Sequence, residues 1–540
     1  MFRPYEQRQP FLLPPNLHDF VDEGHPAQLV NDLVDQLDLS ALEARYGNLG
    51  QPAYHPRLML KVILYGFTVG VFSSRKLERA CRENLAFKFL AGMETPDFRT
   101  FIEFRQRHRD DMKAVYVQTV KLARALGLAR LGAVALDGSK VDANTSKHKA
   151  MSDGRMREEE QRLKAEIERL LQTAEGADEQ EDQDHGPGGD GYHLGDELAR
   201  RERRLQKIQE ARAALEARER REHLGEPIDP KKQVSFADHD ARCFAKKGDG
   251  TRYVYNAQIA VDMDSQIIVA NHIEESVSDA QAAEPALASM EQDLGQVPKE
   301  LVTDAGYGNQ ATLRSCQGRG VTPVSATTRE GKETQEPAKL DRFGYDRDQD
   351  QFACSHGHVF RFDHEHAASG TRTYKTLQPV PCTCGHSETA DGREVITVGP
   401  SHMAKRELRW IMDEPGHREL YRRRKCTAEP PFGQIKAGMG FRRFLYRGTP
   451  NVRSEWNLVC AAFNLRKLGA FLAARLGPPT PGQIAGYHGA NGASRSITSS
   501  LMSGFSEWIT RLVRPQAPLW PQWPLPPESA MTITANCSGS

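Results

Sequence analysis

Cysteine is scarce in this chain. Nine in 540 residues are too few for a disulfide scaffold, and a reducing cytoplasm is the expected setting. Long apolar runs are missing too. The longest, Val62 to Phe72, falls short of the roughly 20 residues a spanning helix needs, so no membrane role is expected. The first residues lack the basic-then-apolar pattern of a signal peptide. Net charge is absent as well: Lys+Arg 72 balances Asp+Glu 72, so overall charge points to no partner. The length exceeds what one core can serve, and about three or four units are expected.

What the total charge hides, its distribution shows. From His55 to Arg130 there are fifteen basic and seven acidic residues, and from Ser401 to Arg453 thirteen against five. Two basic zones of this kind are the electrostatic footprint of a nucleic-acid binder.

Hydrophobic periodicity divides the chain. Residues 1–130 read as helical: Leu29, Leu33, Val34 and Leu37 fall at helical spacing, and Leu58 to Phe72 makes an apolar helix. Ser73-Ser74 is placed to cap the next, Arg75 to Asn84. Thr95-Pro96-Asp97 opens another, bearing Arg105, Arg107 and Arg109. Short helices ending in arginines suit a helix-turn-helix-like DNA reader, with Arg105 and Arg107 as its expected contacts. From Ala133 the pattern turns to strands. Arg252–Val261 and Gln266–Ile273 read as a hairpin turning at Asp262–Ser265, followed by a helix with Ala283, Leu287, Met290 and Leu294 on its core face. A strand at Leu301–Asp304, a helix near Gln310–Cys316 and a strand at Val321–Val324 complete a mixed α/β pattern.

Two insertions are expected within it. Residues 155–223 read as an antiparallel helical hairpin, with Leu163, Ile167, Leu170 and Leu171 facing Leu198, Leu205, Ile208 and Leu215 across an acidic, Gly-rich tip. Residues 329–399 are polar and rich in Cys and His. The α/β domain then occupies 131–154, 224–328 and 400–470, and 471–540 reads as a low-complexity, disordered tail.

Three carboxylates carry the chemistry. Asp137 ends Ala-Val-Ala-Leu and Asp304 ends Glu-Leu-Val-Thr, as acids at the tips of buried strands do. Glu429 sits between Tyr421-Arg422-Arg423-Arg424-Lys425 and Lys436, where a phosphodiester would be held. Acids far apart in sequence can converge on a pair of divalent ions for phosphoryl transfer. The neighbouring Asp142, Asp262 and Asp264 read as turn or surface residues.

Over roughly residues 10–470 the chain resembles the bacterial insertion-sequence transposases with a DDE catalytic domain and an InsH-like N-terminal domain. The resemblance rests on Ala133–Lys140, Tyr255–Val261, Val302–Tyr307 and Glu429–Lys436, with Gly440–Gly448 and Asn464–Leu468 adding to it. It implies an RNase H-like fold with Asp137, Asp304 and Glu429 as a triad binding two Mg²⁺, for which Mn²⁺ can substitute. It implies hydrolysis at the element's ends and attack of the freed 3′-OH on target DNA by a homodimer on double-stranded DNA, in a bacterial cytoplasm at the nucleoid. Lys436 sits where the family's motif has a lysine. Tyr421 and Arg424 keep their mutual spacing but lie one residue further from Glu429 than in the best-known form, leaving Arg422, Arg423 and Lys425 as competing phosphate contacts; Arg442 and Arg443 belong to the same basic region. Two other readings use the same residues: an RNase H-fold nuclease without strand transfer, and an inactive DNA-binding derivative of a transposase.

The clusters Cys354-Ser-His356-Gly-His358 and Cys382-Thr-Cys384-Gly-His386 offer the thiolates and imidazoles that a structural Zn²⁺ selects. Cys354, Cys382 and Cys384 are the expected ligands, with a histidine as fourth. The family's patch has Cys-x-x-Cys where this chain has Cys-x-Cys.

Overall fold

Proline and its neighbours set the first helices. In the computed structural model, which describes residues 16–22, 24–47, 52–185, 194–222, 226–246, 250–327, 343–380 and 387–476, α1 (Pro26–Asp35) and α3 (Pro56–Thr68) both begin on a proline. Each follows a histidine whose Nδ1 accepts a backbone N–H two residues on, and proline's missing donor costs nothing at that position. Between them lies the short α2 (Ser40–Glu43). Helix α3 is buried almost all round, with Leu60, Val62, Ile63, Leu64 and Phe67 inside. Then come α4 (Ser74–Glu83), α5 (Leu85–Leu90), α6 (Phe98–Arg107) and α7 (Met112–Ala125). Ser73 precedes α4, but its side chain makes no capping bond. Asp97 does cap α6, accepting from Thr100 N at 2.7 Å.

Strand β1 (Ala133–Asp142) runs past Asp137 for five more residues, where the sequence suggested an end. β2 (Ala150–Ser152) leads into two long helices, α8 (Asp153–His185) and α9 (Leu194–Glu222), and β3 (Gln233–Ser235) returns to pair with β2. The helices meet through Met156 and Leu163 on α8 and Ile208, Ala211 and Leu215 on α9. Leu171, expected in that seam, is exposed. The hairpin's tip, residues 186–193, lies outside the described residues.

β4 (Arg242–Lys246), β5 (Gly250–Asp262) and β6 (Ile268–Glu274) follow, then α10 (Ala283–Leu294), β7 (Glu300–Thr303), α11 (Gln310–Gln317) and β8 (Thr322–Ser325). The sheet runs β4–β5–β1–β7–β8, with β6 on the same edge of β5 as β4. β5 is antiparallel to β1, and β7 and β8 are parallel to it. This is a mixed α/β fold with a helical N-terminal region, as expected.

Within the Cys- and His-rich stretch, residues 343–380 and 387–398 form an antiparallel sheet of β9 (Gly344–Asp346), β10 (Gln351–Ala353), β11 (Val359–His366), β12 (Thr371–Thr376), β13 (Ser387–Glu388) and β14 (Glu394–Val398). Its core is Phe343, Phe352, Phe360, Tyr374, Ile396 and Val398.

The chain then returns to the first sheet through α12 (Pro400–Asp413), α13 (His417–Gly433) and α14 (Thr449–Leu476). α14 binds the helical region to the sheet. Asn464 accepts from Ile268 N at 3.0 Å and donates to Ile268 O at 2.9 Å and to Thr119 Oγ1 at 3.3 Å. Tyr116 of α7 also donates to Ile268 O, and Trp456 donates to Gln258 O. The expected low-complexity tail lies outside the described residues from 477 onward.

Candidate active site

The pairing register brings two acids together. β1 and β7 match Ala133 with Glu300, Val134 with Leu301 and Ala135 with Val302. Continued by two residues, the same register sets Asp137 beside Asp304. Side chains alternate across a strand, so both acids share the face of Ala135 and Val302. Ala428 of α13 packs into that face among Ala135, Val302 and Val324, and Glu429 is the next residue.

α13 carries Glu429 through two prolines. Pro430 lacks the N–H that would bond Cys426 O, and that carbonyl accepts from Gln266 Nε2 at 3.1 Å instead. The helix then widens into a π-helical turn, Gln434–Gly438, a form of local irregularity that concentrates at functional sites.

Electrostatics tie the three acids to one neighbourhood. Burial pushes the Asp137 carboxyl up to about 6, opposed by the Gly138 N–H and by Arg424, and reinforced by the like charges of Asp304 and Glu429. Asp137 Oδ1 accepts from Gly138 N at 2.9 Å, and Asp304 Oδ1 accepts from Gly306 N at 2.8 Å. Glu429 is exposed. Among the described residues no three Asp, Glu, His or Cys side chains are gathered closely enough to enclose a metal ion. The fit is one of donor type: three carboxylates offer the hard oxygens that Mg²⁺ takes, and their mutual repulsion is what a cation relieves.

The expected cations divide. Arg424 is buried, its Nη1 lies 4.0 Å from Asp137 Oδ2, and its Nε has no hydrogen-bond partner. Tyr421 packs against the Ala135–Val302 cluster, with the Arg424 guanidinium 5.9 Å above its ring. Lys436 Nζ donates to Ser139 Oγ, two residues beyond Asp137 on the same face, and burial lowers its pKa. Arg442 and Arg443 are exposed, and Arg443 bridges the backbone of Asp142 at the end of β1. Arg422 and Arg423 are engaged elsewhere, with Glu419 and Asp264. Arg105 must be withdrawn as a DNA contact. Only 5% exposed, it donates to Phe72 O at 3.1 Å and lies against the Phe67 and Tyr446 rings. It faces the core side of α6, whereas Arg107 is exposed, over Tyr46.

Of the neighbouring acids, Asp262 stands in the expected turn but is buried. Asp262 is 1% exposed: Oδ2 accepts from Arg130 N and Leu131 N, and Oδ1 from Asp264 N, Ser265 N and Ser265 Oγ. It ties the β5–β6 turn to the start of β1. Asp142 ends β1 and pairs with Arg252 at 3.0 Å.

Sequence reasoning missed a polar network behind β1. Tyr307 donates to Gln258 Oε1, Gln258 Nε2 donates to Asp279 Oδ1 at 2.7 Å, and Asn256 Nδ2 and Lys140 Nζ converge on the same oxygen. A side chain at Gly138 would bring its Cβ to 2.1 Å from Gln258 Nε2 and 2.8 Å from Asp279 Oδ1, so any larger residue there would have to displace this network. The readable signal was Asn256 and Gln258, alternate polar residues in the apolar run Tyr255–Val261. Tyr307 is buried, and burial pushes its hydroxyl far up.

Of the expected zinc ligands, Cys382, Cys384 and His386 lie outside the described residues. Cys354 is buried in the core of the second sheet, its Sγ 3.6 Å from His358 Nδ1.

Two family models match the chain. Residues 15–107 match the family described as Transposase domain (DUF772), and residues 230–465 match Transposase DDE domain. Asp304 and Glu429 fall inside the second match, and Asp137 falls between the two. No curated protein and no solved structure matches the chain.

Proposed function

Because the chain belongs to the DDE transposases of insertion sequences, we propose that it binds the ends of such an element and carries out strand cleavage and strand transfer at Asp137, Asp304 and Glu429. The observation that carries this is the β1–β7 register, which sets Asp137 beside Asp304 beneath the helix that bears Glu429. The three carboxylates would hold a pair of Mg²⁺ or Mn²⁺ ions, which supply Lewis-acid activation of the attacking oxygen and stabilisation of the leaving one. The chain's own groups position the DNA. Arg424, with a buried Nε lacking a partner, is set to donate to a phosphate oxygen beside Asp137. Lys436 adds positive charge two residues further along the same strand face. Arg442 and Arg443 extend that charge outward, and Tyr421 holds the Arg424 guanidinium in place. A hydrolytic cut leaving a 3′-OH and attack by that hydroxyl are both in-line displacements at phosphorus, so one site serves both.

The fold this reading implies is RNase H-like: three strands antiparallel in turn, β6–β5–β1, followed by β7 and β8 parallel to β1. Recognition of the element's ends is assigned to the helical residues 1–130, with Arg107 exposed for it. Two copies of the chain are assigned to the paired ends on DNA, at the nucleoid. A structural Zn²⁺ is assigned to Cys354, Cys382, Cys384 and a histidine.

The test is a pair of assays on the full-length protein with Mg²⁺: nicking of supercoiled plasmid carrying the element's ends, and joining of a 3′-OH end oligonucleotide to plasmid. Both activities are expected. Cutting without joining would identify a nuclease, and binding without either would identify an inactive derivative.

A further inference from the structure

The hairpin α8–α9 is laced with ion pairs on one side. Glu160 holds Arg212 and Lys164, Asp153 holds Arg157, and Glu166 holds Arg201. The opposite side differs. Where the base of α9 meets β2 and the loop after β3, a groove of ≈ 830 Å³ opens, lined by Lys149, Arg155, Arg204, Lys207 and Arg447 with no carboxylate in its wall. Of these, Arg204 has an ion-pair partner, Glu159 at 2.7 Å. No carboxylate among the described residues pairs with Lys149, Arg155 or Lys207. Arg200 and Arg203 continue the cationic row into an adjoining hollow with Arg204 and Lys207.

We propose that this groove is a second DNA-binding site, which holds the phosphate backbone of the duplex leading away from the catalytic carboxylates; it rests on the proposed function. Spacing supports it. Positions 200, 203, 204 and 207 share one face of α9 and span about 10 Å of axis, the rise of roughly three base pairs. Continuity supports it too. Arg447 Nε donates to Asn144 O just beyond the end of β1, and β1 runs from Asp137 to Asp142 over about 17 Å. A duplex whose scissile phosphate lies at Asp137 reaches the groove after roughly five base pairs. Clustered, unpaired cations repel one another, and a polyanion that releases its own counterions is the ligand that gains most there.

The experiment measures binding of the full-length protein to a mixed-sequence duplex of about 30 base pairs across a salt series. Arg155→Ala/Lys207→Ala is compared with wild type, and Lys149→Ala, in the loop, serves as an independent variant. Each lost phosphate contact should lower the slope of log K against log salt by about 0.9, so the double variant should lose about 1.8 and bind roughly ten- to thirtyfold more weakly at physiological salt. Lys149→Ala should lose about half as much slope, with unchanged melting. If wild type binds the duplex and both variants keep its slope, the groove proposal fails and the catalytic reading stands. If wild type binds no duplex, both fail. Equal losses toward polyglutamate, with duplex binding untouched, would make the groove a protein-docking site and overturn the proposal.

Discussion

Ala133 pairs with Glu300 across two parallel strands, so Asp137 and Asp304, each four residues further on, come to lie side by side. Two carboxylates so placed, with Glu429 close by, disfavour one another's charge. Burial raises the Asp137 carboxyl to about 6 against an ordinary 3.8, and those like charges add to the rise. A raised folded-state value means that its share of stability is present below pH 3.8 and is lost as pH rises through about 6. At pH 7.5 without divalent ions the wild type carries the whole penalty, at most roughly 3 kcal/mol for a shift of this size. Asp137→Asn carries none. This variant should therefore melt a few degrees above wild type in EDTA, and the gap should narrow as pH falls through about 6 and close below pH 3.8. A lower melting temperature at pH 7.5 would show that the ionised carboxylate is not destabilised by its burial and its acidic neighbours.

Catalysis should show the reverse order. Asp137→Asn, Asp304→Asn and Glu429→Gln keep side-chain size while removing an anionic oxygen. Each should slow plasmid nicking in Mg²⁺ by on the order of a thousandfold or more, about 4 kcal/mol of barrier, with DNA binding nearly unchanged. Asp264→Asn is the control, since Asp264 is exposed and pairs with Arg423 across the surface. Nicking by Asp304→Asn at the wild-type rate would break the triad.

Asp262 fails differently. Its two oxygens accept from five donors at the junction of the β5–β6 turn with the start of β1. Asparagine would turn an NH₂ toward one set of those donors, leaving them unsatisfied. Asp262→Asn should lower unfolding stability by about 2–4 kcal/mol, read from urea denaturation. Lost activity with full stability would move Asp262 into the chemistry.

How the sequence reads depends on which forces are local. The acids were legible because buried strands ending near Asp137 and Asp304 show as apolar runs, yet β1 goes on to Asp142. That extension is held by pairing with Val254–Ile259, more than a hundred residues away. Arg105 looked like its neighbours on an arginine-rich helix, since helical spacing does not say which face meets Phe67 and Tyr446. The second sheet was hidden because its strands are short and polar on one side. Its core residues, Phe352, Phe360, Tyr374 and Ile396, stand eight to twenty-two positions apart, too far for any local periodicity. Gln258 and Asp279 could be joined only once the strands were folded, although the glycine at 138 marked where they close in.

Zinc is tested by composition. Cys354 lies in the core of the second sheet beside His358, and the proposed zinc would take it as one thiolate ligand. Protein purified without added metal should contain zinc close to one per chain by elemental analysis, and Cys382→Ser should remove it and lower the melting temperature. Substoichiometric zinc unchanged by that substitution would leave Cys354 as an ordinary core thiol.

Glu455 predicts a pH dependence away from the catalytic acids. It is 1% exposed on α14, and its oxygens accept from Leu445 N and Tyr446 N, fixing the loop between Arg442 and Arg447. Burial pushes its carboxyl up to about 7, with the two backbone donors and Arg105 holding it down. The folded chain therefore binds this proton more tightly than the unfolded chain. Its contribution to stability is complete below pH 4.5 and is lost as pH rises through about 7. The loss amounts to roughly 3 kcal/mol at most. Glu455→Gln keeps an oxygen for the loop and removes the titration. Urea midpoints measured from pH 4.5 to 8 should fall more steeply for wild type than for Glu455→Gln, with the difference developing between pH 5 and 7.5. Parallel profiles would show that Glu455 stays ionised in the fold, with Arg105 as a full counter-charge.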